Sequence, residues 1–184
     1  MKPDTGELFD RISDLESNIF LLLAESARRD DFNDHVNSML RSPKDADSAL
    51  RLLLWRPIPT AIDFLEGILI NALDGSHRLG VSMAVSLLRG LPREELEGQL
   101  AHVLPSTLGE LDADQTLTLV DLLVEFGMID HFSLVADRLE QVGTANDQPL
   151  IERLRSDPRN PSFWRRCRED IARNRDGRAP GVGD

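Results

Sequence analysis

Cysteine is nearly missing from this chain of 184 residues: Cys167 stands alone. One thiol excludes an internal disulfide framework and supplies none of the paired spacings of a zinc site. Tyrosine is absent, and aromatic residues make up only 5% of the chain. Long apolar runs are missing as well. The longest, Ile19 to Ala24, falls far short of the ~20 residues that span a bilayer. The segment Met1-Lys2-Pro3-Asp4-Thr5-Gly6-Glu7 carries acids where a secretory signal has bases followed by an apolar stretch, so the sequence reads as that of a cytoplasmic protein.

Positive charge is the third shortage. Lys and Arg number 21 against 32 Asp and Glu, a formal charge of −11. The deficit is uneven. Residues 1–149 carry 12 bases and 26 acids, whereas residues 150–184 carry 9 bases, all arginine, and 6 acids. An acidic body of this kind repels nucleic acid and anionic lipid and attracts a basic protein.

Catalytic constellations are lacking too. No Gly-rich phosphate loop or nucleophile elbow occurs, and Gly181-Val182-Gly183 belongs to a tail rather than a strand-to-helix turn. His35, His77, His102 and His131 show no paired metal spacing; Asp31 and His35, one helical turn apart, are two groups where a site needs three or four. Arg166 and Arg168 flank Cys167 and would favour its thiolate, but no base or resolving thiol is near it in sequence. The expectation is a protein that is not an enzyme and has no cofactor or metal.

What the chain does have is helical periodicity. Leu8, Ile12, Leu15, Ile19 and Leu22 recur at steps of four and three and fall on one helix face, expected to be the first layer of the core, with Thr5 as cap. Phe32, Val36, Met39 and Leu40 form a short second stripe before Ser42-Pro43. A third helix runs from about residue 45 to 55, stopped by Pro57 and Pro59. A fourth covers about 60–73 with Ala61, Phe64, Leu65, Ile68, Leu69 and Ala72 inward. A fifth, capped by Ser76, ends at Gly90. Pro92 opens a sixth helix carrying Leu96, Leu100, Val103 and Leu104, followed by a long turn from Pro105 to Leu111. Asp112 caps a seventh, 114–126, closed by Gly127, and Asp130 caps an eighth ending near Gly143. A ninth is expected over 148–155, a last over 162–174, and a frayed tail from Asp176. No strand signal is present.

The helices repeat. Leu52-Leu53, Leu87-Leu88 and Leu122-Leu123 are 35 residues apart, each preceded by a small or aliphatic pair: Ala49-Leu50, Ala84-Val85 and Leu119-Val120. A period in the thirties with two helices per unit marks an α-solenoid, in which each pair hides its apolar face against the next. Residues 60–91 resemble one HEAT-type repeat: an apolar first helix from Thr60 to Leu73, Asp74 in the turn, Arg78 early in the second helix, then Ala84, Leu87 and Leu88. The unit at 93–126 keeps the apolar spacing but lacks the early Arg.

That resemblance implies an all-α fold, a right-handed α-α superhelix of about four HEAT-like hairpins over residues 1–156. Residues 157–184 would form an Arg-rich capping helix and tail, docked by Phe163, Trp164, Cys167 and Ile171. It also implies that second helices line a concave face. Arg51, Ser86 and Asp121 are then equivalent, as are Trp55, Gly90 and Glu125, with Ser82 and Arg89 beside them. This row is the expected partner-binding surface, with Trp55 as anchor; a core role for Trp55 before Pro57 stands as the alternative. Asp30, Asp31, Asp34, Glu94, Glu95 and Glu97 cluster near helix starts, where they complement the dipole and together steer a basic partner. The expected function is non-catalytic protein binding, in its most specific form an acidic immunity-type protein neutralising a basic partner protein. Two alternatives stand beside it: a scaffold or adaptor subunit self-associating through the Leu8–Leu22 stripe, and a HEAT-like protein acting on nucleic acid.

Overall fold

A computed structural model describes residues 5–26, 28–75, 78–156 and 163–178. Among these residues the fold is all helical, with no strand: α1 (Thr5–Ser26), α2 (Phe32–Leu40), α3 (Ala46–Leu54), α4 (Leu65–Leu73), α5 (Arg78–Gly90), α6 (Arg93–Glu110), α7 (Ala113–Phe126), α8 (Phe132–Val142), α9 (Gln148–Leu154) and α10 (Phe163–Arg178). Ser76 and the tail from residue 179 lie outside the described residues.

The apolar stripes read from the sequence become the core. Ala61, Phe64, Leu65, Ile68, Leu69 and Ala72 are each at most 2% exposed. At the 35-residue spacing, Ala49, Ala84 and Leu119, and likewise Leu53, Leu88 and Leu123, are buried at matching positions of α3, α5 and α7, while Leu52 and Val85 are half-buried. Packing joins neighbours: α2 touches α4, α4 touches α6 and α6 touches α8, while α3 packs on α5 and α4 on α5. At the far end α10 lies on α7 and α9, with Phe163, Cys167 and Ile171 buried and the Phe163 ring stacked on Phe132 at 5.7 Å. The side chain of Trp164 lies outside the described residues.

Four expectations fail, each for a local reason. The fourth helix does not start at residue 60: Ile58–Phe64 is a 3-10 segment, entered from Pro57 and Pro59, and only Leu65–Leu73 is α-helical. Pro105 does not open a turn, since α6 runs through it to Glu110. Pro105 is exposed, so solvent can take the carbonyl that its missing N–H frees. Asp130 caps nothing; the N-cap of α8 is His131, without a side-chain bond. Most consequentially, the described part of the α1 stripe is not in the core: Leu15 and Leu22, with Leu21 beside them, are 60%, 64% and 68% exposed and Ile19 is 36% exposed, while the side chains of Leu8 and Ile12 lie outside the described residues.

Other signals act as expected. Asp112 accepts from Gln115 N at 2.8 Å while Gln115 Oε1 accepts from Asp112 N at 3.1 Å, a reciprocal capping box. Gly127 ends α7 at φ 69°, the left-handed region that glycine enters without cost.

Arginines staple the helices together. Arg138 of α8 donates to the carbonyls of Gly109 and Leu111 at the end of α6, and Arg93 to that of Gly127 at 3.0 Å. Arg155 bridges Asp137 and Glu140 of α8 at 2.6 and 2.8 Å.

Candidate functional site

A polar hollow of about 900 Å³ opens between α2, the segment Ile58–Phe64, α4 and α6. The exposed face of α2 supplies one wall, Asn33, Asp34, Asn37, Ser38 and Arg41, at the i, i+4 spacing that puts them on one side of a helix. Asp63, Leu65 and Glu66 form the floor, and Gln99 and Val103 of α6 the opposite wall.

Two features bring α2 and α4 close. A Cβ on Gly67 would sit 2.8 Å from Leu40 Cβ, so only a residue without a side chain permits this approach. Asn71 Nδ2 donates to the carbonyls of Leu40 and Gly67, both at 2.8 Å, tying the end of α2 to α4. Arg41 donates to Glu66 Oε2 at 2.7 Å across the hollow. The lining of the hollow thus holds the carboxylates of Asp34, Asp63 and Glu66 and one guanidinium, and it carries net negative charge, with amides and a hydroxyl also present. Its chemistry suits guanidinium and ammonium groups, which donate only.

The expected binding row lies elsewhere. Arg51 is exposed on α3, and Trp55, at the C-cap of α3, is 38% exposed, so it is not a core plug. Ser82 and Ser86 are exposed on α5, where Ser86 Oγ donates to the Ser82 carbonyl at 2.8 Å. Arg89 meets Glu125 of α7 at 2.7 Å, so these two charges satisfy each other rather than face outward singly. Asp121 is half-buried. Arg89 and Glu125 rim a smaller cleft of about 240 Å³ whose lining includes Leu88, Leu96, Phe126 and Met128. None of the seven residues lines the larger hollow.

Of the steering acids, only Asp34 joins the hollow. Asp30 and Asp31 are exposed; Asp31 accepts from Arg29 Nε at 3.0 Å, and that guanidinium holds its carboxyl below the usual carboxylate range. Glu94 and Glu95 are exposed in the first turn of α6, and Glu97 is half-buried there.

Sequence reasoning missed Asn33, Asn37, Ser38, Arg41, Asp63, Glu66 and Gln99. The polar face of α2 is readable, but its apposition to residues up to 70 positions away depends on how α2, α4 and α6 pack.

Chemistry elsewhere is quiet. Cys167 is buried, and burial pushes its thiol up to about 11, outweighing the attraction of Arg153. The thiolate that Arg166 and Arg168 would favour therefore does not form near neutral pH. No group of three or more His, Cys, Asp or Glu able to hold a metal ion occurs among the described residues, and no helix among them is long and apolar enough to cross a membrane. Three arginines of the final segment are engaged: Arg153 Nε meets Asp170 at 2.7 Å, Arg173 meets the same carboxylate at 3.3 Å, and Arg165 meets Glu169 at 3.6 Å. Asp170 turns inward, to 4% exposed, toward α9.

No family model, curated protein or solved structure matches this chain.

Proposed function

We propose that the protein is a non-catalytic binding module that receives a basic segment of another protein in the polar hollow between α2, α4 and α6. The observation that carries this reading is the charge of that hollow: three carboxylates against Arg41 alone, on a chain of net charge −11. Acids concentrated in a concavity focus the field on a cationic partner and speed its association. The reading builds on a HEAT-like stack. The successive packing of α2, α4, α6 and α8, and of α3 on α5, supports it, as does the matched burial in α3, α5 and α7. In its specific form the protein is an immunity-type antagonist acting in the cytoplasm, blocking a basic partner by occupying its cationic surface.

The proposed surface differs from the sequence-derived row. Arg89 and Glu125 neutralise each other, whereas the hollow keeps an excess of charge.

Calorimetric titration with an arginine-rich peptide, against a glutamate-rich peptide of equal length, tests the reading. The basic peptide alone should bind. Its affinity should fall steeply from about 0.05 to 0.3 M salt, as the screening length shortens. Asp34→Asn with Asp63→Asn should weaken it about tenfold or more at low salt, while Arg51→Ala with Trp55→Ala should not. Equal binding of both peptides, or indifference to the Asp34 and Asp63 changes, sinks the proposal.

A further inference from the structure

The smaller cleft lies where α5 ends, α6 begins and α7 ends. Leu88 and Arg89 close α5, Arg93 and Leu96 open α6, and Glu125 and Phe126 close α7. With Leu91 and Met128 they surround about 240 Å³, and none of them lines the acidic hollow.

The floor of this cleft is apolar. Leu88, Leu91, Leu96 and Met128 are buried and Phe126 is half-buried. Behind the floor lies a second space of about 10 Å³. Its walls are Leu69, Leu100, Leu119, Leu122 and Leu123, together with Leu88, Leu96 and Phe126, which line both spaces. A space so small, with no polar partner, does not hold water. Its walls lack contacts on one side, and an apolar body pressed against the shared side chains would regain them.

The rim carries the opposite sign to the hollow. Arg89 and Glu125 pair at 2.7 Å, which leaves the charge of Arg93. Among the described residues Arg93 pairs with no carboxylate; its Nη2 donates to the Gly127 carbonyl at 3.0 Å. That bond holds the guanidinium at the cleft and leaves its other N–H groups to donate. Gly127 suits the approach, since a Cβ there would lie 3.3 Å from Arg93 Nη2. Two guanidiniums against one carboxylate, above an apolar floor, match a ligand with an anionic head and an apolar body.

Water takes about 30 Å³ in the liquid and a methylene about as much, so the cleft has room for a chain of roughly eight carbons. We propose that the cleft binds a small aliphatic carboxylate. Its chain lies over Leu88, Leu96, Phe126 and Met128, and its carboxylate accepts charge-assisted hydrogen bonds from Arg93. The site is separate from the hollow and does not depend on the basic partner proposed for it.

Octanoate, octanol, octylammonium and acetate, each titrated into the full chain and followed by methyl, aromatic and amide NMR signals, test this. Octanoate should move the signals of Leu88, Leu96, Phe126 and Met128 at sub-millimolar concentration and leave Asn37 and Gln99 of the hollow in place. Octanol and octylammonium should move the same cleft signals only at concentrations about tenfold or more higher, because neither offers Arg93 an anion. Each methylene removed from the acid should weaken binding about threefold, so acetate should have no effect. Arg93→Gln keeps a donor for the Gly127 carbonyl and removes the charge; it should weaken octanoate about tenfold, whereas Arg51→Gln, at an exposed site on α3, should change it less than about twofold. The proposal is overturned if octanoate moves none of the cleft signals, if octylammonium moves them as readily, or if a folded Arg93→Gln variant binds octanoate as tightly as the unaltered chain. Should that variant not fold, the comparison of the three eight-carbon probes on the unaltered chain decides alone.

Discussion

Cys167 shows how one side chain acquires a property that its sequence neighbours argue against. Arg166 and Arg168 suggest an activated thiol, yet both are exposed while the sulfur is buried beside Asp170. Burial raises its pKa from an ordinary 9.0 to about 11. The consequence for stability follows by linkage: an unfolded chain ionises this thiol at lower pH than the folded chain does, so the contribution is complete below pH 9 and is lost as the pH rises toward 11. The chain has no tyrosine, which leaves few other groups titrating in that window. Urea midpoints should fall across this range, and in Cys167→Ala the fall should be smaller although the variant starts lower. His131 makes a complementary point. Its ring is 5% exposed and its Nε2 has no hydrogen-bond partner, a cost that its position beside Asp130 in sequence does not announce.

Among the elements, helix ends divide into those a local rule dictates and those it does not. Asp112 and Asp130 look alike in sequence, each an acid before a helical stretch. Asp112 closes a capping box with Gln115, whereas a 3-10 turn at Ile129–His131 displaces Asp130 from the cap of α8. Asp112→Ala should therefore cost about 1 kcal/mol in chemical denaturation, and Asp130→Ala close to nothing. The two caps separate because a capping box needs its N3 partner, which Gln115 supplies. The same distinction covers the 3-10 entry to α4 and the passage of α6 through Pro105. A proline inside a helix removes one N–H bond and crowds the carbonyl four residues back, and on an exposed face solvent takes up that carbonyl; exposure is a tertiary fact.

For the molecule as a whole, the terminal helix α10 is the clearest case of long-range assembly. Phe163 stacks on Phe132, Ile171 and Cys167 are buried, and Asp170 receives Arg153 from α9. Phe163→Ala should lower stability by about 3–5 kcal/mol, the range for deleting a buried aromatic ring. Because α10 covers α7 and α9, the loss should appear in amide exchange of those two helices as well as of α10 itself. The acidic excess is set by composition, 21 bases against 32 acids, but the packing decides where it concentrates, placing Asp34, Asp63 and Glu66 around one hollow with Arg41.

The sequence by itself determined the all-helical class, most helix positions, the buried stripes of α3, α4, α5 and α7, the capping box at Asp112 and the glycine stop at 127. Each depends on spacing within one helix or on the chemistry of a single turn, and such interactions are complete within a few residues. Only the tertiary structure decided that Leu15, Ile19 and Leu22 stay uncovered, that Arg89 and Glu125 neutralise each other, and that Asp63 and Glu66 face Asn37 and Gln99 across one concavity. Those outcomes depend on which helix faces meet. Periodicity says that a face is apolar or polar, but the partner it meets is set by the packing of the entire chain.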